Sequence, residues 1–386
     1  MIEKLTNLPD YESTIINQGK EQRLIALTGL LEVYIASEMT MEIYQKLYLS
    51  SLTSLQKKKS LAAKQQFYKN LDYSRGRKSV GILGGNDCFS IIAASGTGKT
   101  SAIERCIGII ENETEINGVK ILKCLTVQTP YDCSIKGLLL EILRVVDLEI
   151  GTSYYERTRQ SMTVDMLIGI VSTVCLNHIC TLIIDEIQNV IRNKNGRNLV
   201  GMLTQLINSS GISIVFVGVP ESEIIFMTDV YLSRRTIGLR YDAMEYNEEF
   251  IDFCKILWHY QYTEKIEPFS EKYALWLYEH SGGVRSIVKG LLYEAQQIAI
   301  MSEIEVINIV VLEKAYKQRY QMMMEHIQPN KKVFQKLVRK KNIENGQKGC
   351  IVEFLAYSEM VVKAQGNIIN IIKSMKEHYD VYEVSL

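Results

Sequence analysis

The chain has 386 residues, 47% apolar and 23% charged, and its 44 lysines and arginines balance 44 aspartates and glutamates. That length allows two or three domains with cores of their own, and that composition excludes a disordered or fibrous chain. A neutral total leaves nucleic-acid binding open, because local clustering of basic residues governs it.

Residues 21–70 carry apolar positions at helical spacing (Leu24, Leu27, Leu30, Leu31, Tyr34) and no glycine between Gly29 and Arg75, which predicts helix. Basic residues then thicken: Lys57, Lys58, Lys59, Lys64, Lys69, Arg75, Arg77, Lys78. Glycines 81, 84 and 85 precede a buried strand over Phe89–Ala93. From there strands and helices alternate: helix Thr100–Ile110, strand Val119–Val127, helices Ile135–Val146 and Val164–Asn177, strands Cys180–Ile184 and Ile212–Val219. Apolar strands separated by helices predict an α/β fold with a parallel sheet covered on both faces. After Tyr241 only helices follow, over Glu249–Tyr260, Glu271–His280, Val284–Met301 and Val306–Met324. The expected organisation is an N-terminal helical segment 1–75, an α/β core 76–243, a helical unit 244–325 and a basic tail 326–386. Within the tail, KKVFQKLVRKK (331–341) has the pattern of an amphipathic basic helix suited to DNA or to a protein partner.

The eight cysteines are scattered without a CxxC pair, and Cys124, Cys175 and Cys180 lie in apolar runs. Buried free thiols are expected rather than structural zinc. The first residues, MIEKLTNLPDYES, lack an apolar core, and no run approaches about 18 apolar residues. Neither a signal peptide nor a membrane span is expected, and the cytoplasm is the implied compartment.

Two motifs carry chemistry. AASGTGKTS (93–101) lies between a predicted strand and a predicted helix and follows the phosphate-loop pattern. Ser95, Gly96, Thr97, Gly98, Lys99, Thr100 and Ser101 would cradle phosphates with backbone N–H groups at a helix N-terminus. Lys99 would reach the β- and γ-phosphates, and Thr100 would ligate Mg²⁺. Ala93 replaces the first glycine of the pattern, so the chain must enter the loop at negative φ. TLIIDE (181–186) ends a buried strand in two carboxylates. Asp185 would hold the metal and Glu186 would polarise an attacking water.

Together with GGVR in the helical region, these motifs resemble an AAA+ ATPase, an AAA+ P-loop NTPase with a parallel sheet covered by helices and a helical lid. QTPYDCSIKGLLLEIL, GTSYYERTR, IIDEIQNV, FVGVPE, YLSRRT and LWHYQY, between about residues 70 and 300, more narrowly resemble the TnsC/TniB transposition regulators of TnsABC-type transposons. The resemblance implies ATP and Mg²⁺ as cofactors and an ATPase that assembles on duplex DNA as a ring or filament. It links a target selector (TnsD/TniQ type) to transposase subunits (TnsA/TnsB type) and disassembles on hydrolysis. It places an arginine finger at Arg234 or Arg235 and a lid sensor at Arg285. It also implies phosphate-backbone contacts by Lys136, Thr152, Arg157 and Arg159. The slot that usually holds a polar sensor at the end of the fourth strand reads Val217-Gly218-Val219-Pro220, which implies slow, regulatory hydrolysis. Gln188 and Asn189 are candidates to orient water or to sense DNA. A replication initiator or helicase loader shares the core and lid and is the alternative; a small-molecule P-loop kinase would lack the lid arginine.

Overall fold

In a computed structural model of the chain, residues 1–75, 88–116, 118–158, 162–192, 196–228 and 238–320 are described. Helix α1 spans Lys20–Leu27, α2 Glu38–Lys58 and α3 Leu61–Ser74. The continuous helix expected over 21–70 is therefore interrupted. Residues 33–37 are non-helical, Tyr34 pairs with Asn7 in an isolated β-bridge, and Ser37 opens α2 through a capping box with Thr40. Ser60 opens α3 by accepting the Ala63 N–H. Apolar spacing runs on through such caps and does not reveal them.

The core follows as β1 (Phe89–Ala93), α4 (Lys99–Ile109), β2 (Glu113–Ile116), β3 (Val119–Gln128), α5 (Ile135–Ile150), α6 (Val164–His178), β4 (Ile179–Asp185), α7 (Gly196–Ser210), β5 (Ser213–Gly218) and β6 (Leu239–Tyr241). The sheet order is β2-β3-β4-β5-β1-β6. All neighbours are parallel except β2 and β3, which form an antiparallel hairpin. That hairpin adds an antiparallel edge strand to the expected parallel sheet. β2 reads ETEI, and its exposed glutamates protect the sheet edge. Strands β1, β4 and β5 are buried along their whole length. Successive residues face opposite layers. Ile92, Leu182, Ile184 and Phe216 pack under α5, α6 and α7, while Ile91, Ile183, Val215 and Val217 pack under α2 and α4. Helix α3 lies outside α6, so close that a Cβ on Gly169 would stand 2.6 Å from the Ser74 nitrogen.

The helical unit comprises α8 (Glu248–His259), α9 (Glu271–Ser281), α10 (Arg285–Met301) and α11 (Ile309–Ala315), followed by a π-helical turn over Tyr316–Tyr320. Its core is completed by Leu27, Leu30 and Val33. Arg23, 1% exposed, donates to both Glu305 oxygens at 2.6 and 2.9 Å and to the Tyr262 carbonyl at 3.2 Å. The N-terminal region thus divides. Leu27, Leu30 and Val33 pack into the helical unit, whereas Leu5 joins α2 and α4 on the sheet, and α3 packs on α6. No helix among the described residues is long and apolar enough to cross a membrane. The seven cysteines among them are buried, and burial pushes the Cys124 and Cys175 thiols up to about 12.

Candidate nucleotide site

Ala93 is the last residue of β1 and pairs with Tyr241, so the first motif position is ordinary strand and needs no glycine. The loop that follows turns through Gly96 (φ +78) and Gly98 (φ +97), both left-handed, where glycine carries no steric penalty. The Thr97 hydroxyl donates to the Ala94 carbonyl at 2.8 Å and closes the turn. Gly98 caps α4, whose N-terminal end brings its partial positive charge to the loop. Lys99 begins that helix at 9% exposure, and no ion pair among the described residues occupies its ammonium. Ser95, Thr100 and Ser101 are exposed around it.

Asp185 closes β4 two strands away, at the carboxyl end of the parallel sheet where such folds bind ligands. It is 4% exposed, accepts the Glu186 N–H at 2.7 Å, and takes the Thr100 hydroxyl at 3.3 Å. A hydroxyl and a carboxylate meeting at the mouth of a glycine loop suit a hard divalent cation beside a phosphate. Glu186 is exposed and sits at φ +58, a conformation uncommon for a non-glycine residue. Its carboxylate accepts from the Gln188 amide, while the Gln188 carbonyl oxygen is buried without a partner among the described residues. Asn189 donates to the Thr129 carbonyl at 3.1 Å, and Thr129 returns two bonds to the Asp185 carbonyl. The Ile187 N–H donates to the Val217 carbonyl. At Gly218 a Cβ would lie 2.5 Å from the Ser222 hydroxyl, so the end of β5 has no room for a polar side chain there.

The helical unit touches this loop directly. The Ser286 N–H donates to the Gly96 carbonyl at 3.1 Å. A Cβ on Gly96 would be 2.3 Å from the Ser286 hydroxyl and 2.9 Å from Val284. Beside the contact lies a cleft of about 360 Å³, bounded by Ser37, Glu38, Met39, Thr97, Tyr241 and Arg285. Apart from Thr97 and Arg285, sequence reasoning missed these residues. They come from the start of α2 and the end of β6, and no local pattern connects them. Arg285 lines the cleft while donating to the Ile35 carbonyl at 3.2 Å and to Glu249 at 3.3 Å. Burial lowers its pKa from the ordinary arginine value, with Glu249 opposing.

The three expected DNA contacts among the described residues are not gathered into one cluster. Lys136 is in the first turn of α5, near the Asp185 end of the sheet, and Thr152 and Arg157 follow the other end of that helix, roughly 21 Å of helix axis away. Arg157 is exposed, whereas the Thr152 hydroxyl donates to Asp147 at 2.5 Å. Arg159, Arg234, Arg235 and residues 331–341 lie outside the described residues.

A glycine loop after β1, a paired carboxylate end on β4, this strand order and a helical lid bonded to the loop define an AAA+ P-loop NTPase fold. Residues 85–242 match the model of the bacterial TniB protein family. No curated protein matches the chain. Among solved structures it is similar to the Orc1 protein of Aeropyrum pernix in complex with DNA (15% identity, 82% of this chain and 81% of that one, TM-score 0.46). It is also similar to the Drosophila ORC bound to DNA (11%, 96% and 80%, 0.49) and to the Thermotoga maritima RuvB Holliday junction branch migration motor (12%, 82% and 86%, 0.38).

Proposed function

We propose that the chain is an ATP-dependent regulator of DNA transposition that assembles on duplex target DNA. Lys99 and the loop N–H groups hold the β- and γ-phosphates, and Thr100 and Asp185 hold Mg²⁺, which would neutralise charge on those phosphates. Glu186 polarises the attacking water. The base occupies the cleft between α2, β6 and α10, with Arg285 on its wall. Arg234 or Arg235 of a neighbouring copy completes the site, a contribution of about 10³–10⁵ in rate for fingers of this kind. Hydrolysis is slow and regulatory, a reading supported by the Gln188 bond on Glu186 and by the apolar end of β5. Lys136, Thr152, Arg157 and Arg159 follow phosphate backbone without reading bases. The assembled form joins a TnsD/TniQ-type selector to TnsA/TnsB-type transposase subunits and is dismantled by hydrolysis.

The observation that carries this reading is the meeting of Thr100 and Asp185 beside the buried Lys99, within a core that matches the TniB family. Size-exclusion chromatography with duplex DNA and a non-hydrolysable ATP analogue tests it. A multi-subunit complex that needs both ligands and is lost in Lys99→Ala is expected. In Glu186→Gln the complex should form and persist with ATP. A chain that stays monomeric whatever is added overturns the proposal.

A further inference from the structure

The charge that balances over the whole chain is unevenly distributed. Eight of the 44 basic residues and one of the 44 acidic residues fall between positions 57 and 78. Clustering of this kind is the electrostatic footprint of a polyanion site. Helix α3 shows how the described part of that charge is used. Its inner face is fixed by Ala63, Gln66 and Asn70, all buried. Gln66 donates to Asn70 at 2.8 Å, and Asn70 donates to the Ser209 carbonyl at 2.9 Å. Lys58 turns inward as well and caps α6 through the carbonyls of Cys175 and Leu176. Lys59, Lys64, Lys69 and Arg75 point the other way. All four are exposed, and no ion pair among the described residues neutralises them. Among them stand Tyr68, 67% exposed, and Leu61, 77% exposed.

We propose that this outer face of α3 is a second duplex-binding surface, separate from the Lys136 and Arg157 positions, that holds the phosphate backbone through Lys59, Lys64, Lys69 and Arg75 with Tyr68 against the sugars. Its cations, Lys64 and Lys69 on α3 and Lys59 and Arg75 at its two ends, are spread over about 20 Å. Evenly spaced point charges suit a backbone that itself carries one charge per ~1.7 Å of duplex axis. The surface is independent of nucleotide, since none of its residues lines the cleft or the phosphate loop.

The test uses the full chain with Lys59, Lys64, Lys69 and Arg75 all changed to Gln, titrated against a labelled duplex of mixed sequence between about 50 and 200 mM salt. The plot of log affinity against log salt should become shallower by about 3–4, at ~0.9 per lost phosphate contact. Affinity at the lower salt should fall at least tenfold, with nucleotide binding and the melting midpoint unchanged. Lys99→Ala, which removes nucleotide, should retain the contribution of this face, so failure of the ATP-dependent reading leaves it standing. Lys136→Ala with Arg157→Ala reports on the other contacts separately. An unchanged slope in the four-residue variant overturns the proposal. So does a variant that keeps its duplex slope but loses binding to polyglutamate, which would assign the face to an acidic protein segment.

Discussion

Gly96 and Gly98 share a left-handed backbone but answer to different constraints. A Cβ on Gly98 meets nothing within 4 Å, so Gly98→Ala should cost only the strain of φ +97, about 1–2 kcal/mol. At Gly96 the same change also drives a methyl into Ser286 and Val284. Gly96→Ala should therefore separate the lid from the loop and reduce affinity for a fluorescent ATP analogue at least tenfold. Denaturant unfolding and nucleotide titration of the two variants distinguish these outcomes. Arg23 makes a comparable point in the helical unit. Its fork holds Glu305, which is itself 7% exposed. Arg23→Ala leaves that buried carboxylate without its cation, the Glu264 N–H still donating at 3.3 Å, at an expected cost of about 3–5 kcal/mol in unfolding. Lysine would restore the charge without the two-pronged geometry and should recover only part of the loss. At this scale the motifs were readable in sequence, because a phosphate loop and a strand-end carboxylate pair are each built from adjacent residues. The Arg23–Glu305 pair, separated by 282 positions, leaves no local trace.

Among elements, the segment after α5 shows how a loop can be held without a core of its own. Asp147 accepts the Thr152 hydroxyl and the N–H groups of Tyr154 and Tyr155 at 2.5–2.8 Å. Asp147→Ala should release those amides, which would exchange hydrogen at least tenfold faster. The far end is held by His178. Its Nδ1 donates to the Lys120 carbonyl and its Nε2 accepts from the Tyr154 hydroxyl, both at 2.8 Å, which is the pattern of a neutral ring. Burial lowers its pKa, the Lys120 bond opposes that, and the Lys58 charge adds to it. As pH falls through the ordinary histidine value of about 6.5, the unfolded chain takes up the proton before the folded one. Stability should therefore decline on acidification below that point. His178→Gln should remove that part of the decline in melting midpoint measured between about pH 7.5 and 5. The long apolar strands and helices of the core were legible because burial on both faces forces apolar sequence. The β2 hairpin and β6 were not, being edge strands of four and three residues. Helix α2 concealed its contacts because Ser50, Ser51 and Ser54 lie on its buried side, where Ser50 meets Thr181 hydroxyl to hydroxyl.

For the molecule as a whole, the cleft is walled by the beginning of α2, the phosphate loop, β6 and the beginning of α10. A nucleotide bound there ties the sheet to the helical unit. At a hundredfold excess over its dissociation constant it should stabilise the fold by about 2.7 kcal/mol. A thermal-shift titration with ATP and Mg²⁺ should show the corresponding rise in midpoint for the natural chain and none for Lys99→Ala. The segment over residues 33–37 is central to this link. Lys289 donates to the carbonyls of Leu31 and Val33, and Arg285 to that of Ile35, so two lid cations hold the chain where it crosses between the units. Helical periodicity shows which face of a segment is apolar but not what will cover it, and for that reason this crossing was invisible beforehand.

That crossing also imposes an order on biosynthesis. Arg23 leaves the ribosome long before Glu305 is translated, and at about 5–20 residues per second the wait is roughly 14–56 seconds. For most of that interval Leu27, Leu30 and Val33 lack the α8 and α10 side chains that cover them in the folded protein. During synthesis these side chains therefore wait for α10, the helix against which they pack.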